Sequence, residues 1–409
     1  MKLVRKLKEV DRYVSNIKEH SDFGIENITV EHRSNNPKRD FLFVNKKQCK
    51  HIPVSGADMV KMCQELAKLV NEKLANNTNV GDKVLVVGFA ETATAIGNVV
   101  ADSLCCESFV LQTTRENVPH SKQLLSFEEE HSHATTQKLL IRNTEDTDKF
   151  LNQFKYVLFV EDEISTGNTI LNFIEEFDKV KQGMKFGVAS VCNWQSVENQ
   201  NKFKAKGIDT FALITGELKN ADIKMSNEQE PGHYFFDSAK DYEKRTDKPI
   251  FVYRPRAKVF GSELFEEERL GHIANRDLSK LYELVDEVLD RDKSIQSVRV
   301  IGTEEFMYIP IKVAEYIENN KLKDVVCHST TRSPIDKART SAFGCADAII
   351  SKNKLTSLYE DERVTYLYNL DEFTDAVILI TDGRMSDEVA NEYYEMLKDR
   401  TKTIVVLAL

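Results

Sequence analysis

Residues Tyr156 to Thr169 read YVLFVEDEISTGNT. The apolar run Val157 to Val160 reads as a buried strand. Two acids follow, Glu161 and Asp162, and then a small polar run of Ser165, Thr166, Gly167, Asn168 and Thr169. Ile170, Leu171, Phe173, Ile174 and Phe177 then recur at helical spacing. Small residues let consecutive backbone N–H groups close around a phosphate. Hydroxyls add donors, and the helix N-terminus adds partial positive charge. The adjacent carboxylates can accept hydrogen bonds from a vicinal diol. A diol on one side and a phosphate on the other describe a ribose 5-phosphate. The stretch contains neither a Gly-Lys-Ser/Thr phosphate loop nor a G-x-G-x-x-G turn. The simpler alternative is an ordinary strand-to-helix turn with a Ser or Thr N-cap.

Outward from this stretch the same alternation continues, which predicts an α/β protein with mainly parallel strands. Met59, Cys63, Leu66, Ala67, Val70 and Leu74 predict a helix, and Val84 to Val87 a buried strand. Phe186 to Val191 and Phe211 to Ile214 are further strands. Between about Lys219 and Lys248 the chain turns polar, with Glu-Pro-Gly at 230–232. This is the expected linker. The rhythm then restarts with a helix on Leu278, Leu281, Leu284, Val285 and Val288. Strands follow at Val298–Ile301, Ala376–Ile380 and Ile404–Leu407. The expected domains are therefore 1–250 and 251–409.

The 409 residues are enough for two or three domains. Apolar residues make up 41% and charged residues 30%, as in soluble globular proteins. With 66 acidic and 56 basic residues the formal charge is −10, which argues against a protein that coats nucleic acid. The opening MKLVRKLKEVDRYV has no uninterrupted apolar core, so it is not expected to be a signal peptide. The most apolar window, Val84 to Ala101, contains Glu91 and Asn98 and suits a strand and helix better than a membrane span. Seven cysteines without a C-x-x-C pair point to reduced thiols in the cytoplasm.

The acid pair and its Thr-Gly loop resemble the phosphoribosyl-pyrophosphate (PRPP) motif of type I, orotate-like phosphoribosyltransferases. Asn168 stands where a second Gly is common in that family. The resemblance implies a type I phosphoribosyltransferase fold for the first domain. It also places a pyrophosphate loop on Gly88, Phe89, Ala90, Glu91 and Thr92, within VLVVGFAETATAIG. RDFLFVN and KHIPVSG, residues 39–45 and 50–56, resemble the N-terminal hairpin of orotate-type members. FVLQTTRENVP, residues 109–119, resembles the strand leading into their catalytic loop, which would run from Thr113 to about Lys138. On that loop Arg115 is the natural pyrophosphate ligand, because a guanidinium chelates phosphate oxygens with two bonds. A surface ion pair is its alternative. His131 and His133 are candidates for protonating the leaving pyrophosphate or touching the base, or else are solvated loop histidines. The implied partners are PRPP and a small-molecule base, and the implied cofactor is Mg2+, held mainly through PRPP with no direct protein ligand assigned.

Residues 328–335, HSTTRSPI, contain Thr331, Arg332, Ser333 and Pro334. This resembles the TRSP domain that follows a phosphoribosyltransferase domain in bacterial tellurium-resistance and stress operons. The resemblance implies a phosphoribosyltransferase serving a nucleoside-like biosynthetic pathway. The two halves also read as a divergent duplication. VLVVGFAETATAIG parallels VRVIGTEEFMYIPI, FVLQTTRENVP parallels VVCHSTTRSPI, and VLFVEDEISTGNT parallels VILITDGRMSDEV. Gly88 to Thr113 spans 25 residues and Gly302 to Thr330 spans 28; Thr113 to Asp162 spans 49 and Thr330 to Asp382 spans 52. The second copy keeps Asp382 but has Thr381 in place of the first acid, so it is not expected to bind PRPP productively. Alternatively, two unrelated α/β domains share generic patterns, the second being Rossmann-like. Orotate-type enzymes are dimers, so this chain is expected to be an internal pseudo-dimer, with Arg332 reaching the first site, or a homodimer. A PRPP- or nucleotide-sensing regulator and a non-catalytic scaffold are the competing function classes.

Overall fold

The computed structural model describes residues 5–6, 12–32, 41–75, 82–127, 137–220, 250–253, 268–333, 335, 352–357, 363–382 and 385–409. Contacts divide the chain into two units that interleave along the sequence. One comprises residues 1–27, 61–228 and 266–276, the other 28–60, 229–265 and 277–409.

The first unit is built on five parallel strands. Their spatial order is Ser108–Thr114, Lys83–Gly88, Phe154–Ile164, Lys185–Asn193 and Asp209–Asn220. Numbered along the chain this is 2-1-3-4-5, the doubly wound order in which the winding reverses between strands 1 and 3. Arg12–Glu19 extends the sheet antiparallel at one end, and Gln137–Arg142 with Ser121–Phe127 extends it at the other. His272–Ile273 also pairs antiparallel with Ser108–Thr114, which brings residues 266–276 into this unit.

The amphipathic patterns form the expected helices. The helix Gly56–Leu74 buries all six of its predicted apolar positions, and the helix Asn168–Val180 buries all five. Phe159 sits at the centre of an aromatic cluster, with ring centroids 5.2 Å from Phe173 and 6.0 Å from both Phe89 and Phe186. Edge-to-face and offset packing of this kind gives a dense, stiff layer under the strand ends.

The second unit has a parallel sheet in the order Asp324–Ser329, Ser297–Gly302, Thr374–Thr381, Thr401–Ala408 and Ile250–Tyr253. Its first four strands, numbered from Ser297–Gly302, run 2-1-3-4, as in the first unit. Ile250–Tyr253 takes the edge that the fifth strand holds there. Val377, Leu379, Ile404 and Val406 pack against Val389, Tyr393 and Leu397 of the helix Asp387–Leu397.

Two expectations are corrected. Phe41–Asn45 does form a hairpin, but with Ile28–His32 rather than with residues 50–56. Val54 instead exchanges backbone hydrogen bonds with Cys327, at 3.1 and 2.7 Å, which places residues 28–60 in the second unit. The region Thr113 to Lys138 is in part ordered β-structure. Leu139 and Ile141, which alternate along Gln137–Arg142, join the aromatic core from its arm, and a register shift between Gln123 and Leu125 lets the adjacent Leu124 and Leu125 both join it. Among the described residues, no helix is long and apolar enough to cross a membrane.

Candidate phosphosugar site

The winding of the first sheet reverses between Lys83–Gly88 and Phe154–Ile164. At such a point the loops leaving the two strands turn to opposite faces and leave a crevice beyond the carboxyl ends. Both segments expected to carry chemistry lie there, and the Phe89 N–H donates to the Val160 carbonyl at 3.1 Å.

Glu161 and Asp162 end the buried part of their strand and are half-buried. The Asp162 N–H donates to Glu161 Oε2 at 3.2 Å, which turns that carboxylate back over the strand end. Cys192 lies on the neighbouring strand. Its thiol is held well above its ordinary value, first by burial and then by the negative charge of Glu163 and Asp162. This thiol is therefore not a nucleophile at neutral pH.

Ser165, Thr166 and Gly167 lead into the helix Asn168–Val180. Gly167 is the N-cap residue with φ +83° and brings no side chain to cap the helix. A Cβ here would fall 2.4 Å from Gln195 Nε2 and 2.7 Å from the Phe203 ring, so only glycine fits without strain. The Ser or Thr N-cap of the simpler alternative is thus not what is found. Thr166 Oγ1 accepts the Asn168 N–H at 3.3 Å, and Thr169 lies half-buried in the first turn. A helix start whose N-cap glycine offers no capping side chain, behind small polar residues, is an arrangement that can receive an anion.

The turn Gly88–Thr92 opens on the other side of the crevice. Gly97 comes so close that a Cβ on it would lie 2.9 Å from the Gly88 Cα, and this contact seats the helix Thr94–Asp102 on the strand end. The Ala90 N–H donates to Thr113 Oγ1 at 2.8 Å, and Thr113 in turn hydrogen-bonds Gln137. Phe89, Ala90 and Glu91 are buried, Thr92 is half-buried, and the Ala90–Glu91 peptide is cis. Arg115 lies just past the strand Ser108–Thr114 and is half-buried. His131 and His133 lie outside the described residues. No three His, Cys, Asp or Glu side chains among the described residues converge as a metal cage.

Gln195 and Gln137 were not singled out from sequence. Gln195 is fully buried and donates to the Thr166 carbonyl at 3.1 Å, bracing the Ser165–Thr169 loop from just past the strand Lys185–Asn193. Its Oε1 accepts from Asn193 at 3.2 Å, so the amide is held from both ends. No local pattern marks it, because its partner lies 29 residues upstream.

The second-unit candidates gather at the corresponding strand ends. Arg332 Nε lies 2.7 Å from Glu304 Oε2, and Arg332 Nη2 lies 3.5 Å from Glu305 Oε1. Ser357 also donates to Glu304, at 2.8 Å. Thr331 exchanges backbone hydrogen bonds with Tyr366, and its Oγ1 accepts the Ser333 N–H at 3.2 Å. Asp382 is buried directly after Thr374–Thr381. Pro334 lies outside the described residues.

A doubly wound sheet with a small polar loop and an acid pair at its winding reversal places this unit among the doubly wound α/β proteins, whose crevice lies at the carboxyl ends of the strands. Residues 28–216 match the phosphoribosyl transferase family, and residues 266–397 match the TRSP domain, which lies C-terminal to that transferase domain. The chain thus carries a phosphoribosyl transferase domain followed by a TRSP domain. Similar solved structures include adenine phosphoribosyltransferase from Giardia lamblia, at 15% identity over 46% of this chain and 93% of that one, TM-score 0.32. The enzyme of that name from Trypanosoma brucei shows 11% identity over 50% and 84%, TM-score 0.33. Orotate phosphoribosyltransferase from Aeropyrum pernix shows 12% identity over 46% and 88%, TM-score 0.29. No curated protein matches this chain.

Proposed function

We propose that the first domain, within residues 1–250, is a phosphoribosyltransferase acting on PRPP, with the TRSP domain in residues 251–409. The reaction displaces pyrophosphate from C1 of PRPP by a nitrogen of a small base-like acceptor. The observation that carries this is the meeting, at one winding reversal, of the Glu161–Asp162 pair, the small polar Ser165–Thr169 loop at a helix start and the braced Gly88–Thr92 turn. Each suits one part of PRPP: the diol, the 5-phosphate and the leaving group.

The transition state is oxocarbenium-like, with negative charge flowing into the pyrophosphate. Backbone donors of the turn and the Arg115 guanidinium stabilise that charge; removing one such donor raises a barrier by on the order of 3 kcal/mol. Glu161 and Asp162 orient the ribose hydroxyls and offer hard oxygen donors, a chemistry that fits Mg2+ held chiefly by PRPP itself. When bound, the ion neutralises charge on the pyrophosphate. The paired strands Ser121–Phe127 and Gln137–Arg142 would keep out water, which otherwise competes with the acceptor. We place the reaction in the cytoplasm, within a nucleoside-like biosynthetic pathway of a tellurium-stress type.

Incubation with PRPP, magnesium and a panel of bases should release pyrophosphate, and Glu161→Gln with Asp162→Asn should abolish the release. Tight PRPP binding without turnover on any acceptor would instead support a sensor.

A further inference from the structure

We propose that Gln137 is a positioning residue that couples the antiparallel arm to the pyrophosphate turn. The inference rests on the PRPP proposal above. Gln137 opens the returning strand of the arm, Gln137–Arg142, and is 2% exposed. A hydroxyl has one proton to give and two lone pairs to offer. Thr113 Oγ1 accepts the Ala90 N–H and donates to Gln137 Oε1. That fixes the orientation of the amide and leaves Nε2 as donor, 3.4 Å from the Ala90 carbonyl. Both backbone groups of Ala90 are therefore engaged through one buried Thr–Gln relay. The root of the arm is held independently, by pairing of Leu139 with Thr113 and of Lys138 with Thr114. Gln137 adds a link from that root to the turn itself.

The second unit holds its matching turn the same way with different residues. The Glu304 N–H donates to Thr330 Oγ1 at 2.9 Å, and the Glu304 carbonyl accepts from the buried Lys50 Nζ at 2.7 Å. In both units the residue two positions past the strand-end glycine has its N–H held by a threonine and its carbonyl by a side chain from outside the parallel core. In the first unit that side chain belongs to the arm. Turn geometry, and hence the aim of its N–H groups at pyrophosphate, thus depends on where the arm sits.

The test titrates pyrophosphate and ribose 5-phosphate separately, with magnesium chloride present, into wild type, Gln137→Ala and Gln137→Glu. We expect Gln137→Ala to raise the pyrophosphate Kd at least fivefold and leave that for ribose 5-phosphate within twofold. Gln137→Glu should match it at pH 9, where the carboxylate offers no donor to Ala90. Equal weakening of both ligands, or no change in either, overturns the coupling. Wild type that takes up neither ligand overturns the PRPP proposal, and the coupling with it.

Discussion

Thr113 Oγ1 accepts the backbone N–H of Ala90 at 2.8 Å, closing the turn that follows the first strand of the sheet. Thr330 and Glu304 repeat the relationship at 2.9 Å in the second unit. Each threonine lies at the carboxyl end of strand 2 of its sheet, Thr113 next to last in Ser108–Thr114 and Thr330 just past Asp324–Ser329, and each amide lies two residues beyond the glycine that ends strand 1. Strand order and turn closure therefore agree at positions that the sequence aligns independently. Two unrelated α/β domains would share the strand order readily, but a side-chain clamp at matching positions is a more specific coincidence. This supports a divergent duplication.

The pair also separates fold from function. Thr113→Val and Thr330→Val each remove a hydroxyl but keep the shape, leaving a buried N–H without its partner. Each should cost about 1–3 kcal/mol in urea unfolding. Thr113→Val alone should also weaken PRPP binding, measured by calorimetry with magnesium present. Equal loss of binding in both variants would count against assigning the phosphosugar site to the first unit.

Arg332 is held by Glu304 and Glu305, whose side chains are almost wholly buried. Its relative by alignment, Arg115, is the one proposed for pyrophosphate. The second guanidinium is thus already neutralised by protein carboxylates. Arg332→Ala would strand two buried acids, and removing one member of such a pair costs about 3–5 kcal/mol. The expected outcome is a much lower urea midpoint, with PRPP affinity kept below the transition. Lost affinity in a variant that remains folded would favour the pseudo-dimer, in which Arg332 serves the first site.

The parallel sheets were legible because buried parallel strands leave continuous apolar runs such as Val84 to Val87 and Val157 to Val160, and their helices leave a 3.6-residue period. The Glu161–Thr169 stretch was legible for the same reason: strand, acids, loop and helix are contiguous. Gln195, Gln137 and Lys50 were not. Each acts on a backbone group far away in sequence, and a lone Gln or Lys carries no periodic signal. The hairpin partner of Phe41–Asn45 was misjudged because alternation shows that a strand exists but not which strand it pairs with.

Gly167 combines φ +83° with a site where a Cβ would meet Gln195 and the Phe203 ring. The left-handed conformation alone costs a residue with a Cβ roughly 1–2 kcal/mol. Gly167→Ala should lower stability by at least that and shift Thr166, whose carbonyl Gln195 holds. Ribose 5-phosphate binding should fall about tenfold while pyrophosphate binding changes little. That pattern is the reverse of the one expected for Gln137→Ala. Calorimetry on the two variants together would show whether the loop and the turn serve different phosphates.

Glu31 offers a pH-dependent test of the second unit. It lies on the Ile28–His32 strand, fully buried, with Thr29 Oγ1 donating to it at 3.1 Å. Burial pushes its carboxyl up from 4.5 to about 7, against the smaller opposing pulls of the Thr29 hydrogen bond and the Lys46 charge. Between these values the native state holds a proton that the unfolded chain has released. Stability contributed by this group is therefore complete below pH 4.5, falls as pH rises through 7, and levels off above it. A shift of this size corresponds to on the order of 3 kcal/mol. Buried His272 and His328, both held below their ordinary value chiefly by desolvation, act in the opposite sense with pH. The informative quantity is thus the difference between Glu31→Gln and wild type. That difference should be small at pH 5 and favour the variant at pH 8, with urea unfolding as the measurement. A difference independent of pH would mean that Glu31 does not titrate in this window.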